Sequence, residues 1–244
     1  MAEPETARRK DQFVETEWSL VLRASREGAA HEASLTRLCR LYWLPLFTYV
    51  RRRGFNHHDA EDITQGFFSQ VLQKGTLASA EQSRGRFRTF LLTSLRNFLI
   101  NQHVRASAEK RGGGSEHLPL TELNEFDASA VVHPASLTPD QVFDRTWALS
   151  VLEIALRQLE AAFIAEGKAA WFRRVRPFLE IGAKTDDYES LAREFNMTKN
   201  AVAVAIHRLH QRYRNLVQAA VAETVTDRAD TEAELAHLLT SLAS

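Results

Sequence analysis

The sequence predicts an all-α fold: two helical domains joined by a flexible acidic linker. Three observations carry this. Apolar residues recur at i, i+3, i+4 spacing through most of the 244 residues, and clear period-two runs are absent. Ten glycines and six prolines are too few for a fibrous or wholly disordered chain. Between two helical stretches, residues 116–140 hold five acids (Glu116, Glu122, Glu125, Asp127, Asp140), three prolines and no Lys or Arg, the composition of a linker. A length this far above about 150 residues allows one large or two small domains.

The elements follow in order. A first helix is expected over 17–27, with Trp18, Val21 and Leu22 on one face, and a second over 35–53, which Pro45 should bend or interrupt. Asn56 offers an N-cap to a third helix, whose acidic first turn suits the positive end of the helix dipole and which stops at Gly75. A fourth runs over 87–105. Gly112, Gly113 and Gly114 lack the Lys-Ser/Thr and preceding strand of a phosphate loop and read as a hinge. Helical pattern resumes near Gln141, through Trp147, Leu149, Leu152, Leu156 and Leu159, and continues past Trp171 to Leu179. A helix pair is expected at 188–195 and 198–217. The tail carries Leu235, Leu238, Leu239 and Leu242 as one apolar stripe.

Some classes are excluded early. No stretch approaches the roughly 18 apolar residues of a membrane span, and the polar N-terminus lacks the apolar core of a secretory signal. A cytoplasmic location is therefore expected, with no membrane insertion. The single cysteine, Cys39, reads as a small core residue.

Thirty-one basic residues balance thirty-one acids, yet the charges are segregated. Residues 84–111 carry six net positive charges and residues 193–214 four, on either side of the acidic segment. Two basic patches separated by an acidic strap suggest two nucleic-acid contacts on one chain.

The second patch reads as a helix-turn-helix. Leu191, Ala192 and Phe195 form one apolar face, Asn196 and Met197 make the turn, and Thr198 caps the next helix. Asn tolerates the left-handed conformation such a turn needs. Val202, Ile206, Leu209, Tyr213 and Leu216 form a buried seam, so Lys199, Asn200, Ala203, His207, His210, Gln211 and Arg214 point outward. The N-terminal residues of a recognition helix touch bases and its flanks touch phosphates. Lys199, Asn200 and Ala203 are the base-edge candidates; Arg208, Arg212 and Arg214 are the phosphate candidates.

In the first patch, Leu91, Leu92, Leu95, Phe98 and Leu99 share one side of the helix. The opposite side carries Thr93, Asn97, Asn101 and Arg105, with Phe90 beside them and Arg84, Arg86 and Arg88 just upstream. Cations for the backbone, amides for base edges and aromatics for stacking suit unstacked single-stranded bases. Phe87 serves either as stacker or as core.

The acidic helix buries Ala60, Ile63, Phe67 and Val71. Its other side mixes Glu61, Asp62, Gln65 and Ser69 with Phe68 and Leu72, which suggests a protein-docking surface; the alternative packs Phe68 under a neighbouring helix. His57 with Glu61 and His58 with Asp62 have chelating spacing, but no further ligand cluster follows, so no metal is expected.

At these residues the chain resembles a known family. Tyr42-Trp-Leu-Pro-Leu-Phe-Thr-Tyr-Val-Arg, followed by Asp59-Ala-Glu-Asp-Ile-Thr-Gln-Gly-Phe-Phe, resembles the region-two core of bacterial RNA polymerase sigma factors of the extracytoplasmic-function type. Arg86-Phe-Arg-Thr-Phe-Leu-Leu-Thr-Ser-Leu-Arg-Asn-Phe-Leu continues the match into the promoter-melting helix, and residues 188–214 resemble the region-four helix-turn-helix. The resemblance implies a region-two-like helical bundle (35–112), a linker (113–140), here unusually long, and a region-four-like helix-turn-helix domain (141–217); an N-terminal helical extension (1–34) and a C-terminal tail helix (218–244) fall outside the shared core. It further implies docking on the clamp helices of the polymerase largest subunit through Asp59, Glu61, Asp62, Gln65 and Phe68. Recognition of the minus-ten element falls to Arg84, Arg86, Arg88, Phe90, Asn97, Asn101 and Arg105. Readout of minus-35 DNA, beside the polymerase flap, falls to Thr198, Lys199, Asn200, Ala203, His207, Arg208 and Arg212. No cofactor and no catalytic residue is implied, since the polymerase performs the chemistry; an anti-sigma or other regulatory partner fits the family. Phe90 stands where many relatives have Trp, and Asn101 where Asp is common. The alternative function is a helix-turn-helix regulator that acts outside the polymerase holoenzyme.

Overall fold

A computed structural model describes residues 29–73, 86–109, 134–179, 187–225 and 228–243. The expected helix over 17–27, the hinge glycines, Arg84 and most of the acidic linker lie outside them. Eight α-helices account for most of the described residues, which contain no strand: α1 (Ala29–Arg52), α2 (His57–Gln73), α3 (Phe87–Glu109), α4 (Pro139–Ala165), α5 (Ala169–Val175), α6 (Asp187–Glu194), α7 (Lys199–Ala222) and α8 (Thr231–Ala243). Short 3-10 turns at Arg176–Leu179 and Arg228–Asp230 complete them.

Local chemistry explains the ends. Asn56 Oδ1 accepts from the Asp59 backbone N–H at 2.8 Å, and its amide donates back to the Asp59 carboxylate at 2.7 Å. That pair starts α2 as the sequence requires. Thr138 caps α4 in a capping box with Gln141, and Pro139 occupies the first turn, where its missing N–H costs nothing. Gly167 turns left-handed at φ 71° and separates α4 from α5, breaking the continuous helix expected through Trp171. Pro45, by contrast, does not interrupt α1. Pro45 has no N–H to give the preceding turn, while the Thr48 hydroxyl donates to the Leu44 and Pro45 carbonyls at 2.9 and 3.0 Å. Burial of nearly every side chain from Leu38 to Val50 holds the helix through the lost bond.

Among the described residues, two hydrophobic clusters form the interior, and they do not divide at the acidic segment. The first joins α1, α2 and α3 to Phe143, Trp147, Val151 and Ala155 of α4, to Val217 and Val221 of α7 and to Leu238 of α8. The packing of α1 against α4 is the most extensive between any two elements. The second unites Leu159 and Phe163 with Phe172, Val175, Phe178, Leu191, Val202, Ile206 and Leu209. The long helices α4 and α7 therefore belong to both clusters, one at each end. Residues 218–222, expected in the tail, continue α7.

Arg52 ties α1 to the approach of α4, donating through Nε to the Leu137 carbonyl at 2.9 Å and through Nη2 to the Ala135 carbonyl. Cys39 is 3% exposed, and burial pushes its thiol up to about 12. Its alkylation by a thiol reagent at neutral pH should therefore wait on unfolding, because thiolate is scarce and access is closed. Rapid labelling of the native chain, read by mass spectrometry, contradicts that packing.

Candidate nucleic-acid interface

Three surfaces carry the residues the sequence singles out, and the structure treats them differently. On α2, Asp59 and Asp62 are exposed, while Glu61 and Gln65 are half-buried. Glu61 lies 3.4 Å from His57 Nε2, and Asp62 lies 3.0 Å from His58 Nδ1. Among the described residues no three His, Cys, Asp or Glu side chains gather as a metal site. Phe68 does not face outward. It is 4% exposed and stacks on Trp43 of α1 with ring centroids 5.7 Å apart. A helix covered on two sides has two apolar faces, and Phe68 belongs to the second.

On α3, Asn97 and Asn101 are exposed, as is Thr93. Phe90 is half-buried and stacks on buried Phe87, centroids 6.1 Å apart, so Phe87 is core. Arg105 lies in the helix, but its side chain is not among those described. Arg88 departs most from expectation. It is 7% exposed, with Nε donating to Glu234 Oε1 at 2.6 Å and Nη1 to Asp144 Oδ1 at 2.8 Å. Its guanidinium also lies 5.5 Å from the Trp147 ring. Arg86 is half-exposed and pairs through Nε with Glu234 Oε2 at 3.0 Å. Charge segregation located these cations, but their partners come from α4 and α8, far away in sequence.

The helix-turn-helix matches its expected geometry closely. Asn196 adopts φ 50°, the left-handed turn, and Thr198 Oγ1 accepts from the Ala201 N–H at 3.1 Å to cap α7. Val202, Ile206 and Leu209 are buried, with Tyr213 and Leu216 packed at the edge. Thr198, Lys199, Asn200, His207 and Arg208 are exposed and Ala203 is half-buried. Lys199 Nζ meets Glu189 of α6 at 2.9 Å, which holds the Glu189 carboxyl below its ordinary value. Arg212 is not a free phosphate ligand. Its Nη2 donates to Glu166 at 2.9 Å and its guanidinium covers Phe163 at 4.6 Å.

Two apolar-walled clefts escape the sequence reading. One, of about 690 Å³, lies beside α7 between Phe163, Trp171, Phe195, Met197 and Val204, with Lys168, Arg208 and Arg212 also on its wall. The Trp171–Phe195 edge contact, at 4.8 Å, shapes its floor. The other, of about 450 Å³, runs between the end of α1 and the outer side of α3, lined by Arg53, Arg96 and His103 with Phe55, Ile100 and Val104. Ile100 and Val104 are 60% and 62% exposed, a signal that helical plotting alone could have raised. No helix among the described residues is long and apolar enough to cross a membrane. Comparison with family models, with curated proteins and with solved structures found no match.

Proposed function

We propose that this chain is a sigma factor of the extracytoplasmic-function type, which binds core RNA polymerase and directs it to a set of promoters. The observation that best supports this is the helix-turn-helix: a left-handed Asn196, a Thr198 cap and an outward row of Lys199, Asn200, Ala203 and His207. A second basic helix and an acid-rich helix lie elsewhere in the same chain. In this reading α7 enters the major groove with its first turns. Asn97 and Asn101 on α3 meet opened minus-ten bases, and Asp59, Glu61, Asp62 and Gln65 dock on the polymerase clamp helices. Phe68 supports that face from beneath. The apolar cleft beside α7, rimmed with cations, suits a helix of the polymerase flap. In this reading residues 113–140 lead from α3 to α4, whose first half packs with α1–α3 and whose second half packs with the helix-turn-helix, and the cytoplasm is where such a protein works.

Run-off transcription with core polymerase from the source organism, on genomic fragments with and without the protein, tests the proposal. New start sites that depend on the protein are expected. If it binds duplex DNA but leaves start sites unchanged, the chain is a helix-turn-helix regulator instead.

Two variants, one double and one single, refine this. Charge reversal at Glu61 and Asp62 is expected to weaken association with core polymerase with the helical circular dichroism unchanged, since both side chains reach solvent. Undiminished association removes this docking face. Arg208→Ala should weaken duplex binding on all sequences and shallow the log–log salt slope by about 0.9, the share of a single neutralised phosphate. A sequence-selective weakening in the same titration reassigns Arg208 to base readout.

A further inference from the structure

Helix α8 presents its apolar stripe to the first cluster: Leu238 is 1% exposed, and Leu235 and Leu242 pack beside it. The same inward face carries Glu234, which is completely buried. Its carboxylate receives Arg88 Nε at 2.6 Å and Arg86 Nε at 3.0 Å, the two cations at the head of α3. Asp144 of α4 completes the cluster, 2.8 Å from Arg88 Nη1 and 3.3 Å from His237 Nε2 of α8. Arg145 Nη1 donates to the Leu242 carbonyl at 2.8 Å and closes the helix's far end. Burial and the nearby Glu234 charge together push the Tyr42 hydroxyl well above its ordinary range.

For anchoring alone, a carboxylate is a poor choice. Withdrawing it from water is costly, and an apolar residue of similar size would hold the helix at least as well. What the carboxylate does offer is the geometry of the group that arginine grips on nucleic acid. Carboxylate and phosphate both present oxygen pairs to a guanidinium fork. A helix held through such a pair can be exchanged for a phosphate backbone, since the same guanidinium fork takes either group.

We propose that α8 is an autoinhibitory strap, in which Glu234 stands in for nucleic-acid phosphate and withholds Arg86 and Arg88 until α8 is displaced. This rests on the reading that α3 grips opened promoter strands. In the strapped state the outer side of α3 presents Asn97 and Asn101 together with Arg96, which pairs with Asp140, while Arg86 and Arg88 face Glu234. Displacement of α8 frees Arg86 and removes one of the two acids on Arg88, which keeps Asp144 of α4, so positive charge is added at the helix head, where the strand would enter.

The test compares the full chain with a chain ending at Asp230, using a labelled, mixed-sequence, single-stranded oligonucleotide titrated over a range of salt. The shortened chain is expected to bind about tenfold tighter at low salt, because its competent state is no longer a minor one. Its salt slope should be steeper by about 0.7, one single-strand phosphate for Arg86, rising to about 1.4 where the strand also draws Arg88 from Asp144. Arg86→Ala should then weaken the shortened chain far more than the full one. Equal affinity and equal slope in a folded shortened chain overturn the strap while leaving the sigma-factor reading standing. Should the shortened chain fail to fold, hydrogen exchange on the intact protein decides: saturating oligonucleotide is expected to strip protection from residues 231–243. Undiminished protection at saturation overturns the strap. If neither chain binds the oligonucleotide at all, the nucleic-acid role of α3 fails, and the strap fails with it.

Discussion

Replacing Arg88 with alanine is expected to destabilise the protein by about 3–5 kcal/mol, because it strands a buried carboxylate. Glu234 is completely enclosed, and Arg88 is its closest cation. With the guanidinium gone, only half-exposed Arg86 remains against it, and Asp144 loses its 2.8 Å donor as well. The Glu234 and Asp144 carboxylates then lose the cation they share, and Trp147 loses the guanidinium over its ring. Removing both charges is expected to cost far less. Arg88→Met with Glu234→Leu keeps comparable volume and withdraws no charge from water, so the double variant should recover most of the stability. A urea double-mutant cycle measures this. A coupling near zero would mean that the pair is solvated, contrary to its burial. Deleting α8 altogether is a milder change than either single substitution in one respect: it opens the site to water, so that Arg88 is hydrated rather than orphaned.

What the sequence discloses, and what it hides, follows from the range of the forces involved. Asn56, Thr198 and Asn196 are legible because a cap or a left-handed turn is settled within three or four residues. The seam from Val202 to Leu209 is legible because helical period maps directly onto burial. Phe68 defeats such a reading because periodicity reports a helix's own faces and says nothing about how many neighbours cover them; Trp43 supplies the second cover. Arg88 defeats it for the same reason in charge: counting cations along residues 84–111 cannot see an acid 146 positions away. The tail stripe is visible as a stripe, but its acid at position 234 looks like ordinary first-turn chemistry. Composition places the division between domains at the acidic segment, while the clusters follow helix length: α4 is long enough to serve one core with Trp147 and the other with Phe163.

That sharing leads to a second large effect. Trp147→Ala should cost about 3–5 kcal/mol, the range for removing a large aromatic side chain from a core that cannot fully collapse. Trp147 has no exposed surface, and Arg88 and the His237 ring lie 5.5 and 6.3 Å from its ring. The cavity left would loosen α8 and the end of α7 together, since both close over this part of α4. Phe172→Ala, in the second cluster, should cost a comparable amount by the same mechanism, because Phe172 is 1% exposed and packs on Phe163 at 5.2 Å. The two residues belong to different clusters, so their costs should add to within about 0.5 kcal/mol, and a urea midpoint shift at constant slope reads each one. Among the described residues, only Tyr213 and Leu216 touch both clusters, at the rim of each. A combined cost well short of the sum would therefore mean coupling through the shared α4 and α7, and Leu216→Ala in the same cycle reads how much of it passes through that rim.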